Sequence, residues 1–197
     1  MGVNMRYSLS EDKRNHIECS LYLISCIICV AIEVFLLSKI EIKNLTLKIL
    51  LTFLQFVVSI GPVWIVWLIK KYLCNILFKI CSIRNLSGIY NVEIQSNYKK
   101  GTISHAKLEI NQTFDKIQIC FIADNSKSCA INAKIENSGI HPILYYSYTN
   151  EGNGVDKNNK THVGTAVITF VEKEIDGYYY NSGKDRPTYG TIKSIKK

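Results

Sequence analysis

The chain has 197 residues, seven cysteines and a net charge of +8. The length suits one or two domains, and the odd cysteine count offers no disulfide framework, which points to a reducing compartment. Residues 1–84 carry 10 Lys+Arg against 5 Asp+Glu, and residues 85–197 carry 14 against 11. The positive excess thus gathers around the most apolar part of the chain. That fits attraction to membrane lipid and retention on the cytoplasmic side, and argues against a DNA or RNA partner.

Residues 1–20 read as a cytoplasmic N-terminal segment. Residues 21–69 read as a hairpin of two transmembrane helices, over 21–38 and 49–69. The first run carries one charge, Glu33, and the second carries none. Each is long enough to cross a hydrocarbon core of roughly 30 Å. Lys39, Lys43 and Lys48 lie in or beside the connecting turn, whereas Arg6, Lys13, Arg14, Lys70, Lys71, Lys79 and Arg84 flank the outer ends. The positive-inside rule therefore places both termini in the cytoplasm. Trp64, Trp67 and Tyr72 suit an interfacial belt, and Gly61–Pro62 predicts a kinked or loosened second helix. Glu33 and Gln55 share a depth in an antiparallel hairpin. They form a polar pair that either fixes the hairpin or lines a helix–helix interface in an oligomer. Cys26 and Cys29 form a C-x-x-C inside an apolar helix with no second pair, so no metal site is assigned.

Residues 70–84 have helical spacing of apolar residues with basic residues between, and predict an amphipathic linker helix. The period then changes to two. Strands are predicted over 88–96, 102–112, 116–122, 128–135, 143–149, 162–171, 175–180 and 189–195, separated by turn residues. Eight consecutive strands predict a small antiparallel up-and-down β-barrel over 85–197, with room for side chains or one small ligand.

No nucleophile elbow, P-loop or cluster of metal ligands is present in the sequence, so the chain is read as a non-enzyme without a cofactor. Tyrosine is abundant on the strands. Tyr90, Tyr146, Tyr148 and Tyr179 are the candidates for stacking on nucleobases and donating hydroxyl hydrogen bonds. Arg186 is the one arginine of residues 85–197 and sits beside Thr188 in the turn GKDRPTYG. It suits a bidentate phosphate contact.

The first barrel strand opens with Leu86, Gly88 and Tyr90, and the chain closes with Gly177, Tyr179, Asn181, Gly190 and Ile192. With two apolar helices ahead of them, these residues make the chain resemble the two-transmembrane, β-strand-rich effectors associated with CD-NTases in bacterial CBASS anti-phage defence. The resemblance implies a barrel that binds a cyclic di- or trinucleotide made by a partner CD-NTase. It also implies self-association in the inner membrane and membrane disruption by the helices. Two other readings remain open on the residues themselves. One is a membrane-anchored carrier of a lipid-like ligand, for which the barrel lining would be aliphatic. The other is an interaction module with a filled core. Leu108, Ile110, Ile117, Ile119 and Phe121 are expected to form an apolar wall, and Tyr146, Tyr148 and Tyr179 a mixed wall opposite.

Overall fold

A computed structural model describes residues 4–9, 12–38, 45–97, 103–123, 126–137, 139–152, 162–172, 174–182 and 187–195. The chain divides into two compact units. One is Lys13–Cys81, and the other joins Met1–Asp12 to Ser82–Lys197.

The first unit is helical: α1 (Arg14–Ser38), α2 (Leu45–Tyr72) and α3 (Cys74–Ile80). Lys70 Nζ pairs with Glu18 at 2.9 Å. Further along, a Cβ added to Gly61 would lie 2.9 Å from Cys29 Sγ. These two contacts make α1 and α2 antiparallel. Glu33 and Gln55 each stand fifteen residues beyond the Glu18–Lys70 pair along their own helices, so the register sets them level. Glu33 is half-buried and Gln55 is exposed. Cys29 packs against Gly61 while Cys26 is exposed, so the two thiols of the C-x-x-C face different surroundings.

Among the described residues, one helix is long and apolar enough to cross a membrane. It spans Arg14–Phe35, with a mean hydropathy of 2.1 and only 11 % of its most apolar window buried. It begins seven residues before the apolar run, because the polar turn from Arg14 also has helical backbone. The predicted kink at Gly61–Pro62 does not interrupt α2, which runs unbroken through Pro62. The predicted linker helix is divided: α2 absorbs Lys70, Lys71 and Tyr72, and α3 follows after Leu73. Ser82 then takes a left-handed φ of 54° just past the C-cap at Cys81, which stops the helix.

The second unit is an eight-stranded antiparallel barrel preceded by two short strands, β1 (Met5–Arg6) and β2 (Ser8–Leu9). The barrel strands are β3 (Gly88–Ser96), β4 (Ile103–Gln112), β5 (Lys116–Ala123), β6 (Ser126–Glu136), β7 (Ile143–Gly152), β8 (His162–Val171), β9 (Glu174–Ser182) and β10 (Thr188–Ser194). Each pairs with the next in sequence, and β10 returns to β3 with Ile192 opposite Ile94. The topology is the up-and-down order that the alternation predicts, and closure removes the sheet edges.

The seam between β5 and β6 is the exception. Their pairing covers only Cys120–Ala123 against Ser126–Cys129. Below it the strands part, and the N-terminal strands occupy the gap. β1 pairs with β5, Met5 opposite Ile117, and β2 pairs in parallel with β6, Ser8 opposite Lys134. Tyr7, between them, is buried to 1 % exposure. Its hydroxyl donates toward the Thr113 and Phe114 carbonyls (3.3 and 3.2 Å) and accepts from Gln112 Nε2 at 3.2 Å. The amide of Gln112 also donates to the Arg84 carbonyl and accepts from the Leu86 N–H at 2.7 Å. Part of the segment expected to precede the helices therefore belongs to the barrel unit.

Along the barrel axis the core changes character. At the end where β3 begins and β10 finishes, Val92, Leu108, Ile117, Ile135, Leu144 and Ile168 are essentially inaccessible and fill the interior. Phe114 folds in from the β4–β5 turn, and Tyr90 meets Phe170 edge to face at 5.5 Å. Toward the other end tyrosines, serines and an asparagine join the inward apolar residues, and the interior opens.

Candidate ligand cavity

A cavity of about 140 Å³ occupies the open half of the barrel. Six strands contribute its lining. Phe121 and Ala123 come from the end of β5, Ser126 and Ser128 from the start of β6, and Tyr146 and Tyr148 from β7. Tyr179 and Asn181 come from β9, with Ile94 of β3 and Ile192 of β10 completing the wall. These residues lie on inward positions because side chains alternate across the sheet at a period of two.

Room for the tyrosines comes from small residues beside them. Tyr148 stands between Ala130 of β6 and Gly164 of β8, and Tyr146 between Ala133 and Ala166. Tyr179 stands between Ala166 and Gly190. A bulge in β6 is needed for this arrangement. The register shifts between Ala130 and Asn132, leaving Ile131 exposed, so that Ala130 and Ala133 both face inward although three residues apart. Gly164 is constrained by close approach. A Cβ there would overlap Asn181 Oδ1 and lie 2.6 Å from the Tyr148 hydroxyl.

The polar groups form a chain. The Tyr148 hydroxyl donates to Asn181 Oδ1 at 2.6 Å, and Asn181 Nδ2 donates to Thr188 Oγ1 at 3.2 Å. The Tyr179 hydroxyl is hydrogen-bonded to Ser96. The rings of Tyr146 and Tyr148 lie 5.7 Å apart at 47°. The Tyr146 hydroxyl makes no hydrogen bond among the described residues, although its residue is only 5 % exposed. Burial pushes the phenols of Tyr146, Tyr148 and Tyr179 above the ordinary tyrosine value. For Tyr179 the hydrogen bond to Ser96 acts in the opposite direction. These groups are therefore neutral hydroxyls near neutral pH.

Of the candidates read from the sequence, Tyr146, Tyr148 and Tyr179 meet in this cavity, and Thr188 joins them through Asn181. Tyr90 does not. It points inward but near the filled end, with its hydroxyl donating to the Leu86 carbonyl at 3.1 Å. Arg186 lies outside the described residues. Glu33 and Gln55 belong to the helical unit. The expected division into an apolar and a mixed wall gives way to a division along the axis. Leu108, Ile110, Ile117 and Ile119 are buried in the barrel core, and of that set only Phe121 reaches the cavity. Ser126, Ser128 and Gly164 escaped the sequence reading. The one sign of the space they share is the placing of Gly or Ala opposite Tyr146, Tyr148 and Tyr179.

A closed antiparallel barrel with a half-open, hydroxyl-lined cavity defines a small-ligand-binding barrel of the up-and-down type. The family model described as "Cap15, cyclic dinucleotide receptor domain" matches residues 81–196, more than half of the chain, and the chain belongs to that family. Similar relatives include two called CD-NTase-associated protein 15. One, from Yersinia aleksiciae, is 33 % identical over 119 residues, covering 59 % of this chain and 57 % of the relative. The other, from Staphylococcus schleiferi, is 31 % identical over 101 residues, covering 51 % and 56 %. The matched region thus spans a little over half the length of each relative. The CD-NTase-associated family suggested by the residues is the family found.

Proposed function

We propose that this protein is a membrane-bound CBASS effector whose barrel binds a cyclic oligonucleotide, and that it acts by binding and not by catalysis. The observation that carries this reading is the hollow, hydroxyl-lined half of a barrel that belongs to a cyclic dinucleotide receptor family. A lipid carrier would favour an aliphatic lining, and an interaction module would favour a filled core. The cluster of Tyr146, Tyr148 and Asn181 supports neither.

In this reading α1 and α2 both cross the inner membrane, with the N-terminus and the barrel in the cytoplasm. The apolar exposure of both helices supports it: Ile27 and Phe35 on α1, and Phe53, Val63 and Trp64 on α2, are more than half exposed. A soluble protein rarely leaves so much apolar surface open. Lys71 lies 4.8 Å from the Trp67 ring and 5.1 Å from the Tyr72 ring, an aromatic and basic cluster suited to a membrane interface. Ligand made by a partner CD-NTase then drives self-association, and the gathered helices disrupt the bilayer.

The test is calorimetric titration of the full chain in detergent with a panel of cyclic di- and trinucleotides. Selective, saturable binding of one compound is expected. Absence of binding by folded protein to every compound would reject the receptor role.

A further inference from the structure

We propose that the cavity receives one nucleobase of the ligand and leaves the sugar–phosphate ring at the mouth. This rests on the receptor reading above and specifies how the same site is used. Three observations carry it.

The first is size. About 140 Å³ is well below the roughly 300–1,000 Å³ of pockets that enclose a whole small-molecule ligand. A cyclic dinucleotide has two bases, two sugars and two phosphates. The cavity therefore takes a part of it, and the flat base is the part that fits between strands.

The second is charge. None of the described lining residues is ionisable to a cation or is charged near neutral pH, the phenols being held neutral. A phosphodiester anion moved there would lose its hydration with no cation among the described lining residues to replace it, which is costly. A neutral heterocycle carries no such penalty.

The third is the pattern of hydrogen-bonding groups left open. The Tyr148 proton is committed to Asn181 Oδ1, so its oxygen still offers lone pairs. Asn181 Nδ2 gives one proton to Thr188 and keeps a second. The Tyr146 hydroxyl has no partner among the described residues and can donate or accept. Donors and acceptors within one small space, beside two tilted aromatic rings, match the edge and face of a base. The edge groups then distinguish one base from another, and Tyr146 and Asn181 become specificity residues.

The experiment uses the full chain in detergent micelles and a cyclic dinucleotide carrying 2-aminopurine at one position. With the fluorescent base in the cavity, its emission is shielded from acrylamide. A population with one shielded and one accessible base is expected. In parallel, Tyr146→Phe, which removes a hydroxyl with no hydrogen-bond partner among the described residues, is titrated against cyclic diadenylate, diguanylate and diuridylate. A loss of at least tenfold for the preferred ligand, with a smaller ratio between preferred and disfavoured ligands, is expected. Equal acrylamide access at both bases, or unchanged affinities for Tyr146→Phe, would overturn the inference while leaving the receptor reading intact. If wild-type protein binds none of these compounds, both fail together.

Discussion

The hydroxyl of Tyr148 is the hinge of the cavity's polar chain, and its removal has a calculable cost. Tyr148→Phe leaves Asn181 Oδ1 without its donor in a half-buried place. A loss of about 1–2 kcal/mol in urea unfolding is expected. Gly164→Ala is the opposite insult, adding volume where Tyr148 and Asn181 already meet. It should destabilise by about 1–3 kcal/mol and weaken ligand binding, read from the same unfolding curve and from calorimetry. The phenols also predict a pH profile. Burial disfavours the phenolate and holds the folded-state pKa values of Tyr146 and Tyr148 above the ordinary tyrosine value of about 10. Their contribution to stability is fully present below about pH 10 and is lost as pH rises through the folded values. The urea midpoint should therefore fall above pH 10, and less steeply in the Tyr146→Phe, Tyr148→Phe double variant. The tyrosines were legible in the sequence because strand alternation marks a residue as inward. Alternation does not say how far along the barrel axis a residue sits, and that is why Tyr90 was grouped with them. Asn181 was visible only as part of a family-like run, since its partners Tyr148 and Thr188 lie on other strands.

The strands themselves follow from alternation, and the predicted strand ends fall within three residues of those observed. Two features escaped that logic. The bulge at Ile131 breaks the period without any glycine or proline to announce it. The N-terminal strands are two residues each, too short for a period to show, and they pair across more than a hundred residues of sequence. Their role explains the opening run Leu86, Gly88, Tyr90. Leu86 is buried, its N–H donates to Gln112, its carbonyl receives the Tyr90 hydroxyl, and Gln112 in turn holds Tyr7. A fragment of residues 82–197 thus leaves parts of β5 and β6 unpaired where Met5 and Ser8 dock, and unpaired strand groups are a liability. Such a fragment should melt at a lower temperature than the same fragment mixed with excess peptide 4–12. The peptide should raise the midpoint in proportion to the logarithm of its concentration. A Tyr7→Ala peptide should give little or no rise, because it lacks the buried ring and its three hydrogen-bonding contacts. If both peptides act alike, the strands and not the tyrosine hold the seam.

At the scale of the whole molecule the question is how occupancy of a small cavity could matter to a bilayer. On the proposed function, binding that is equally strong in the resting and assembled states would shift nothing, so the ligand would have to prefer the assembled state. A change from mostly resting to mostly assembled requires a preference of about 10⁴-fold, which can be divided among the copies that gather. The helices must then have something to offer one another once gathered. Most of their surface is aliphatic and gains little by leaving lipid, because lipid tails are equally apolar. Glu33 and Gln55 are different. They stand level in the antiparallel register, and neither is sequestered within the hairpin. A polar group facing hydrocarbon gains by meeting another copy's polar group or a water path. Replacing both by leucine should therefore leave cyclic nucleotide affinity unchanged, since both belong to the helical unit and neither lines the cavity. Dye release from vesicles carrying the reconstituted double variant should fall well below wild type at saturating ligand. Either single variant should give an intermediate release, because the remaining polar group can still pair with its copy in a neighbouring hairpin. If the double variant releases dye as fast as wild type, the polar pair has no part in disruption, and assembly would have to be driven by the barrels alone.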